Sequence, residues 1–161
     1  MKNIEIERKW LFKESDYIFC KPKEMISLEI GYTKDDIRVS KFNVFNVKKN
    51  EEKIYFKINT KSIIDGSLVR QENKCHITEN VFNSIYEKTL GKRIIKRRNI
   101  YEIDGHKIEI DFFEYCKFIP LTIIEIEFNS KEEAIKYKPI LPFFGKEITN
   151  NFKYLNINLA Y

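Results

Sequence analysis

The stretch from Glu5 to Lys9, EIERK, places charged residues at every second position near the start of the chain. In an extended strand successive side chains point to opposite faces, so Glu5, Glu7 and Lys9 would share one face. Ile6 and Trp10 would lie on the opposite face. Such alternation is typical of a strand with one buried side and a charged side in water. The other strands decide whether this charged face is solvated or enclosed.

Most of the chain has the short alternating runs of a β protein. The candidate strands are residues 3–12, 28–33, 36–47, 53–61, 67–77, 93–103, 106–114 and 120–129. Turn sequences separate several of them. Asp65-Gly66-Ser67 lies between the fourth and fifth candidates, and Asp104-Gly105 is typical of a tight hairpin.

A few segments between these strands are predicted to be helical. Residues 78–91 have apolar side chains at helical spacing, with Thr78 as a candidate N-cap. Residues 130–139 begin with a capping box of Ser130 and Glu133. Two further predicted helices are a short one after the first strand, interrupted at Pro22, and a final one carrying Phe152, Leu155 and Leu159. Several strands with few helices describe an antiparallel barrel or sandwich with helices packed outside.

The alternation of side chains between the two faces of a strand, the period-2 rule, also applies to the other strands. In each of them it places charged residues on one shared face. The shared faces carry Arg38 and Ser40; Lys57, Asn59 and Lys61; Arg70, Glu72 and Lys74; Lys96 and Arg98; Glu109 and Asp111; and Glu125 and Glu127. These faces either coat the outside of a sheet, where loose ion pairs contribute little, or line a tunnel inside a barrel. Burying so many charges is costly unless they pair with each other or with a highly charged ligand. A tunnel therefore predicts an anion site in which carboxylates hold divalent metal ions against the anion.

Composition sets the broad class of the protein. With 161 residues, 43% hydrophobic and 33% charged, the chain is expected to fold as one domain over residues 1–161. Its net charge of +5 favours an anionic partner, although a solvated excess of lysine is equally compatible. Three widely spaced cysteines favour reduced thiols over a disulfide framework or a zinc site. With no apolar run near the roughly 20 residues of a membrane helix and no secretory signal, a cytoplasmic location is expected.

The sequence lacks the motifs of several other common enzyme classes. There is no G-x-x-x-x-G-K-[ST] phosphate loop and no G-x-S-x-G motif. His76 and His106 are too few and too far apart in sequence for a zinc site. These absences argue against a P-loop nucleotidase, a serine hydrolase and a zinc enzyme.

EIERK resembles the ExExK signature of the CYTH domain, the triphosphate tunnel metalloenzyme family of class IV adenylate cyclases, thiamine triphosphatases and inorganic triphosphatases. Further blocks follow in family order: IRV with Arg38, VRQE with Arg70 and Glu72, IKRRNIYEI with Lys96 and Arg98, EIDFFE with Asp111, and IIEIEF with Glu125 and Glu127. The tail FGKEITNNFKYLNINLA resembles the ending of short bacterial members. This resemblance implies a mainly β (α+β) fold, an eight-stranded antiparallel β-barrel tunnel with helices packed outside.

The resemblance also implies a site for a triphosphate with Mg²⁺ or Mn²⁺, metals that prefer oxygen ligands. The predicted metal ligands are Glu5, Glu7, Glu125 and Glu127, with Glu72 and Asp111 as further ligands or as partners of ligands. The predicted substrate-binding cations are Lys9, Arg38, Lys57, Lys61, Arg70, Lys74, Lys96 and Arg98. The family lysine near IYFKINTK is not fixed, because Lys57, Asn59 and Lys61 share a face. Glu5, Glu7 and Lys9 form the predicted catalytic group.

Two positions depart from the usual family pattern. Ser40 follows Arg38 where a second arginine is common, and Lys74 follows Glu72 where a second carboxylate is common. These changes bear on affinity and substrate choice more than on fold.

The sequence leaves three functions open. The first is metal-dependent hydrolysis of inorganic triphosphate or of a small organic triphosphate such as ATP or thiamine triphosphate, which the hydrolase-like tail favours. The second is an adenylate cyclase that makes cyclic AMP from ATP. The third is a catalytically weakened module that binds polyphosphate or RNA triphosphate ends. For the first two functions the expected partner is a small triphosphate, and neither nucleic acid nor a membrane is expected to bind. The chain is expected to be a monomer or homodimer.

Overall fold

A computed structural model describes residues 3–65 and 68–161, and strands dominate it. The strands are β1 Asn3–Phe12, β2 Glu24–Tyr32, β3 Arg38–Asn46, β4 Glu51–Asp65, β5 Val69–Ile77, β6 Arg93–Ile103, β7 His106–Tyr115, β8 Leu121–Glu127 and β9 Phe144–Glu147. Eight of them correspond to the candidate strands of the sequence. The short β9 was not predicted, because its sequence FGKE has no alternating apolar residues.

The first eight strands close into an antiparallel barrel in the order β5-β4-β3-β2-β6-β7-β8-β1, with β5 pairing back to β1. β1 makes this closure possible by dividing its length between partners. Residues 3–6 pair with β5, while residues 7–11 pair with β8. The predicted eight-stranded antiparallel barrel is confirmed, and a two-sheet sandwich is excluded.

The turn between β6 and β7 has the predicted hairpin chemistry. Asp104 and Gly105 both have positive φ, at 52° and 77°, and Ile103 pairs directly with His106. Asp and Gly tolerate this backbone conformation, which a two-residue turn of this kind requires. The other predicted turn, at residues 65–67, falls largely outside the described residues.

The helices are short: α1 Glu79–Tyr86 and α2 Lys131–Lys136 lie outside the barrel, while α3 Asn156–Leu159 covers part of its interior. As predicted, the Thr78 side chain caps α1 and the Ser130 side chain caps α2. α1 packs on the outer face of β4, where the rings of Phe82 and Phe56 lie 5.2 Å apart. The predicted hairpin, helix and strand signals therefore position most of the chain.

Two predicted helices are wrong or shorter than expected. Residues 13–23 contain no helix, and the rings of Tyr17 and Phe19 both contact Phe143, at 4.9 and 4.8 Å. Side chains two residues apart share a face in an extended chain and not in a helix, so this packing requires a non-helical backbone. In the tail, a 3₁₀ turn at Phe152–Tyr154 precedes the single turn of α3, and Phe152 is exposed.

Apolar residues form two clusters that leave part of the barrel interior open. One cluster lies outside the barrel, where Trp10 and Ile126 pack against Phe143 and α2. The other fills part of the interior with side chains such as Leu28, Ile30 and Ile94 and is covered by the C-terminal Leu159 and Ala160. The rest of the interior is lined by charged residues. No helix in the described ranges is long and apolar enough to cross a bilayer.

Candidate functional site

The open part of the barrel interior is a cavity of about 480 Å³. Among the described residues, its lining contains eight basic and eight acidic side chains. The basic ones are Lys9, Arg38, Lys57, Lys61, Arg70, Lys74, Arg98 and Lys107, and the acidic ones are Glu5, Glu7, Glu24, Asp36, Glu72, Glu109, Glu125 and Glu127. Leu155, Asn156 and Ile157 of the C-terminal segment also reach the lining. The charged faces of the strands therefore point inward, toward each other.

All the site residues predicted from the sequence line this cavity except Lys96 and Asp111. These two are almost completely buried, at 1% and 0% exposure, and lie beneath the lining. Asp111 holds a third predicted residue, Arg98, from behind, and Lys96 pairs with the same carboxylate. Their place in the structure fits a role in positioning that arginine better than direct contact with a ligand.

The EIERK motif lies at the centre of a chain of ion pairs that crosses three strands. Lys9 Nζ is 3.0 Å from Glu125 Oε1 on β8 and 3.4 Å from Glu7 Oε1 on β1. Glu7 in turn pairs with Arg70 on β5. All four side chains are at most 11% exposed. Burial alone would raise the pKa of Glu125, but Lys9 and Arg98 hold it well below its usual range.

Arg98 joins three carboxylates on two neighbouring strands, Glu109 and Asp111 on β7 and Glu125 on β8. Its Nε and Nη2 atoms donate to the two oxygens of Asp111, at 2.6 and 2.8 Å, and Nη2 is 3.1 Å from Glu125 Oε2. Lys96 donates to the same Asp111 carboxylate from the buried side. Burial lowers the pKa of Lys96 to about 8, although Asp111 acts in the opposite direction. Two cations therefore share one buried carboxylate, and the remaining Nη1 of Arg98 pairs with Glu109, which lines the cavity.

A second group of contacts surrounds Glu72 on β5. Its Oε1 accepts from Asn59 Nδ2 at 2.8 Å, and its Oε2 accepts from Lys74 Nζ at 3.2 Å. Lys61 donates to Glu5 Oε2 at 2.6 Å and lies 3.8 Å from Glu72. Burial acts to raise the pKa of Glu72, but contacts with Glu5, Lys61 and Lys74 lower it to about 2. Burial and the contact with Glu72 raise the pKa of Glu5.

Two basic residues of the cavity have no carboxylate partner within the part of the chain that the structure describes. The Arg38 Nε donates to Ser40 Oγ at 2.9 Å, so the serine found where the family has a second arginine orients the first. Lys57 Nζ lies over the rings of Phe42 and Tyr55, at 5.4 and 5.1 Å. Burial, followed by the charge of Lys74, lowers the pKa of Lys57. These cations form the positive wall of the cavity.

Sequence reasoning missed part of the lining. Glu109 and Lys107 line the cavity from the inward face of β7. The alternation had placed Glu109 on the same face as Asp111, but neither Glu109 nor Lys107 was among the predicted site residues. Along β2 the inward face is mostly apolar, so Glu24 and Tyr32 gave no charge signal of the kind found in the other strands. Aromatic residues of β3 and β4 are a further missed element, because alternation does not separate a buried ring from a ring at a ligand site.

The donor set fits Mg²⁺ or Mn²⁺ in chemistry, since these metals take carboxylate oxygens. Within the described residues, however, no three His, Cys, Asp or Glu side chains are grouped as a metal site. Most of the predicted ligands are engaged by lysine or arginine: Glu5 by Lys61, Glu7 by Arg70, and Glu125 by Lys9. Metal binding would require these carboxylates to be released from their cations.

Comparisons with known proteins agree with this geometry. No family model matches the sequence, and no curated protein matches it. A solved structure described as the inorganic triphosphatase NE1496 is similar over 97% of this chain and 93% of its own, with 28% identity and a TM-score of 0.62. The resemblance to the CYTH family is confirmed. A second structure of NE1496, described as a hypothetical protein, gives the same TM-score and identity.

A more distant likeness supports the same barrel fold. The structure of PH1819 from Pyrococcus horikoshii OT3 is 20% identical, with a TM-score of 0.52 over 81% of this chain and 82% of that one. At this identity the likeness shows the barrel alone. The chain is therefore a closed antiparallel barrel that shares its fold with these structures.

Proposed function

We propose that this chain is a metal-dependent triphosphatase of the cytoplasm, acting on inorganic triphosphate or a small organic triphosphate inside the barrel. Two facts support the proposal. The fold is shared with a protein described as an inorganic triphosphatase. The cavity carries the cations and oxygen ligands that a triphosphate and its metal need. The three cysteines are free thiols, as expected in a reducing compartment.

The observation that carries the proposal is the positive wall of the cavity. Arg38 and Lys57 form no ion pair with any described residue, and Lys74 faces the same space from β5. Their strands are adjacent: Arg38 pairs with Asn59, and Asn59 pairs with Lys74. Cations kept together without counter-charges repel one another, so the arrangement is stabilised by an anion of high charge density. Arginine and lysine donors match phosphate oxygens.

The opposite wall would hold the metal. Glu5, Glu7, Glu125 and Glu127 are the residues that would bind it, and Mg²⁺ or Mn²⁺ would supply charge neutralisation and an activated water for displacement at phosphorus. Lys9 lies between Glu7 and Glu125 and would direct its charge at the reacting phosphoryl group. Arg98, held by Asp111, would bind another part of the same anion. The division into a cationic and an acidic wall orients the substrate along the barrel.

A specific feature favours an organic substrate as a second candidate. The rings of Phe42 and Tyr55 stack 4.7 Å apart in the cavity wall, with an interplanar angle of 10°. Both line the cavity next to Lys57. Aromatic faces of this kind attract planar ring systems. A triphosphate ester with a heterocyclic group would place its phosphates on the cations and its ring near this pair.

One assay set tests the proposal against cyclase and binding-only alternatives. Purified protein is given inorganic triphosphate, ATP or thiamine triphosphate with Mg²⁺ or Mn²⁺, and both orthophosphate and cyclic AMP are measured. We expect metal-dependent orthophosphate release without cyclic AMP. Cyclic AMP production would replace the proposal with a cyclase. Binding of triphosphate without any turnover would replace it with the binding module.

A further inference from the structure

Most of the carboxylates that would bind metal are paired with cations of the chain itself. Lys61 donates a hydrogen bond to Glu5 at 2.6 Å, and Arg70 forms an ion pair with Glu7. Lys9 forms an ion pair with Glu125 at 3.0 Å. Of the predicted ligands in the lining, Glu127 alone has no ion pair among the described residues, and a single carboxylate is a weak ligand for a divalent ion.

The total charge of the lining points the same way. The eight basic and eight acidic side chains give a formal balance of zero. A divalent ion entering alone would have to displace lysine or arginine from a carboxylate and leave that cation unpaired in a largely enclosed space. A triphosphate entering first instead accepts hydrogen bonds from those cations and brings its own oxygens as additional metal ligands.

We infer that the triphosphate takes over the cations Lys61, Arg70 and Lys9 and thereby releases the carboxylates that hold the metal, so that metal binds with or after the anion and not before it. This inference rests on the proposed function, because it takes triphosphate as the anion. The two ligands are then positively coupled through the chain's own ion pairs. By linkage, each raises the affinity of the other by the same factor.

The pair of Lys61 and Glu5 gives a direct test. Lys61→Met removes the charge and the donor while keeping most of the length of the side chain, and it leaves Glu5 without its cation. We expect Mn²⁺ alone, titrated while free Mn²⁺ is followed by electron paramagnetic resonance, to bind this variant at least tenfold more tightly than the wild type. Inorganic triphosphate in EDTA should bind the wild type measurably in a calorimetric titration.

Two matched variants separate the release of a carboxylate from a general change in charge. Lys57→Met removes the same charge inside the cavity from a lysine that has no carboxylate partner among the described residues. Lys136→Met removes it outside the barrel, where Lys136 pairs with Glu132. We expect Lys57→Met to change Mn²⁺ affinity much less than Lys61→Met, and Lys136→Met to leave it unchanged. Melting curves check that each variant is folded.

Three results would overturn the inference. They are equal Mn²⁺ affinity of wild type and Lys61→Met, an equal gain in Lys57→Met, and failure of triphosphate to bind without metal. None of these depends on turnover, so they are distinct from failure of the proposed function, which is the absence of phosphate release in the activity assay.

Discussion

Arg98 and Asp111 form a two-pronged contact beneath the cavity, with Nε to Oδ1 at 2.6 Å and Nη2 to Oδ2 at 2.8 Å. The carboxylate is fully buried and also neutralises Lys96. Such a contact fixes the plane of the guanidinium, so Arg98 has a defined orientation at the cavity wall, where its Nη1 pairs with Glu109.

Asp111→Asn should destabilise the protein and weaken substrate binding together. The change leaves the buried Lys96 beside a neutral partner, while Arg98 keeps only its pairs with Glu109 and Glu125, and removing one side of a buried ion pair costs about 3–5 kcal/mol of unfolding free energy. We expect this loss in chemical denaturation, with a raised KM for triphosphate because Arg98 is no longer held in one orientation. Glu114→Gln on the same strand is the control, since its exposed pair with Arg97 should contribute about 1 kcal/mol or less. Similar small losses in both variants would contradict the buried role of Asp111.

Glu7→Gln should abolish metal-dependent turnover while the protein still unfolds cooperatively. Glu7 is 8% exposed, lines the cavity and pairs with Arg70. The substitution keeps the shape and removes the charge, so we expect kcat to fall by roughly a hundredfold or more.

The matched control for Glu7→Gln lies on the outside of the barrel. Glu102 pairs with Lys23 at the surface, so Glu102→Gln removes the same charge without touching the cavity. We expect its rate of phosphate release to equal that of the wild type. A Glu7→Gln variant as active as Glu102→Gln would remove Glu7 from the site.

The period-2 pattern of the strands predicted an antiparallel barrel or sandwich without tertiary information, and the resemblance to the CYTH family implied the eight-stranded barrel. The same pattern placed Glu5, Glu7 and Lys9 on one face, and the closure of β1 on β5 turns that face inward. Alternation shows which face of a strand a residue occupies, but it does not show how far along the barrel axis the residue lies. Asp111 and Glu109 share a face of β7, yet Glu109 reaches the cavity and Asp111 lies below it.

Sequence patterns did not predict the segments whose conformation depends on contacts with residues distant in sequence. β9 pairs with the end of β1, and a Cβ at Gly145 would lie 2.6 Å from the carbonyl oxygen of Leu11. That glycine permits a close backbone approach, which no local propensity reveals. Residues 13–23 are likewise shaped by aromatic contacts with Phe143, a residue more than a hundred positions away in sequence.

The contact between Arg8 and Glu147 predicts a pH-dependent contribution to stability outside the cavity. The two guanidinium bonds, both 2.8 Å, lower the pKa of Glu147. Because the carboxyl has a lower pKa in the folded state, its contribution is present above the unfolded pKa and is lost as the pH falls through the folded pKa. We expect Glu147→Gln to melt below the wild type at pH 6, with the difference narrowing below about pH 4.

A control variant separates this contact from the general effect of removing a carboxyl. Glu132 is an exposed residue of α2 that pairs with Lys136. Its replacement by Gln should change the melting temperature little at either pH. A difference between wild type and Glu147→Gln that stays constant from pH 6 to pH 3 would show that ionisation of Glu147 does not stabilise the fold.

Inorganic triphosphate should raise the melting temperature far more than orthophosphate at the same concentration. A ligand that binds only the folded state at a hundredfold excess over Kd adds about 2.7 kcal/mol. For a chain of this size that corresponds to a rise of roughly 5–10 °C. Lys57→Met should reduce the shift because it removes an unpaired cation from the positive wall, while Lys136→Met should retain it. Equal shifts for the two anions would indicate loose binding to surface lysines.

Lys74 stands where the family pattern has a second carboxylate, and its Nζ lies 3.2 Å from Glu72 Oε2. The lysine adds an anion contact and engages Oε2 of Glu72, the oxygen of that carboxylate that Asn59 and Lys61 do not contact. We therefore expect the wild type to need metal well above the triphosphate concentration for full activity. Lys74→Glu should lower the metal concentration at half-maximal rate severalfold and raise the KM for triphosphate, because it exchanges an anion contact for an oxygen ligand.

Initial rates over a grid of Mn²⁺ and triphosphate concentrations measure both effects, with Lys74→Met as the comparison that removes the anion contact without supplying a carboxylate. If Lys74→Glu raises KM but leaves the metal requirement equal to that of Lys74→Met, Lys74 contacts the anion only and does not influence the metal site.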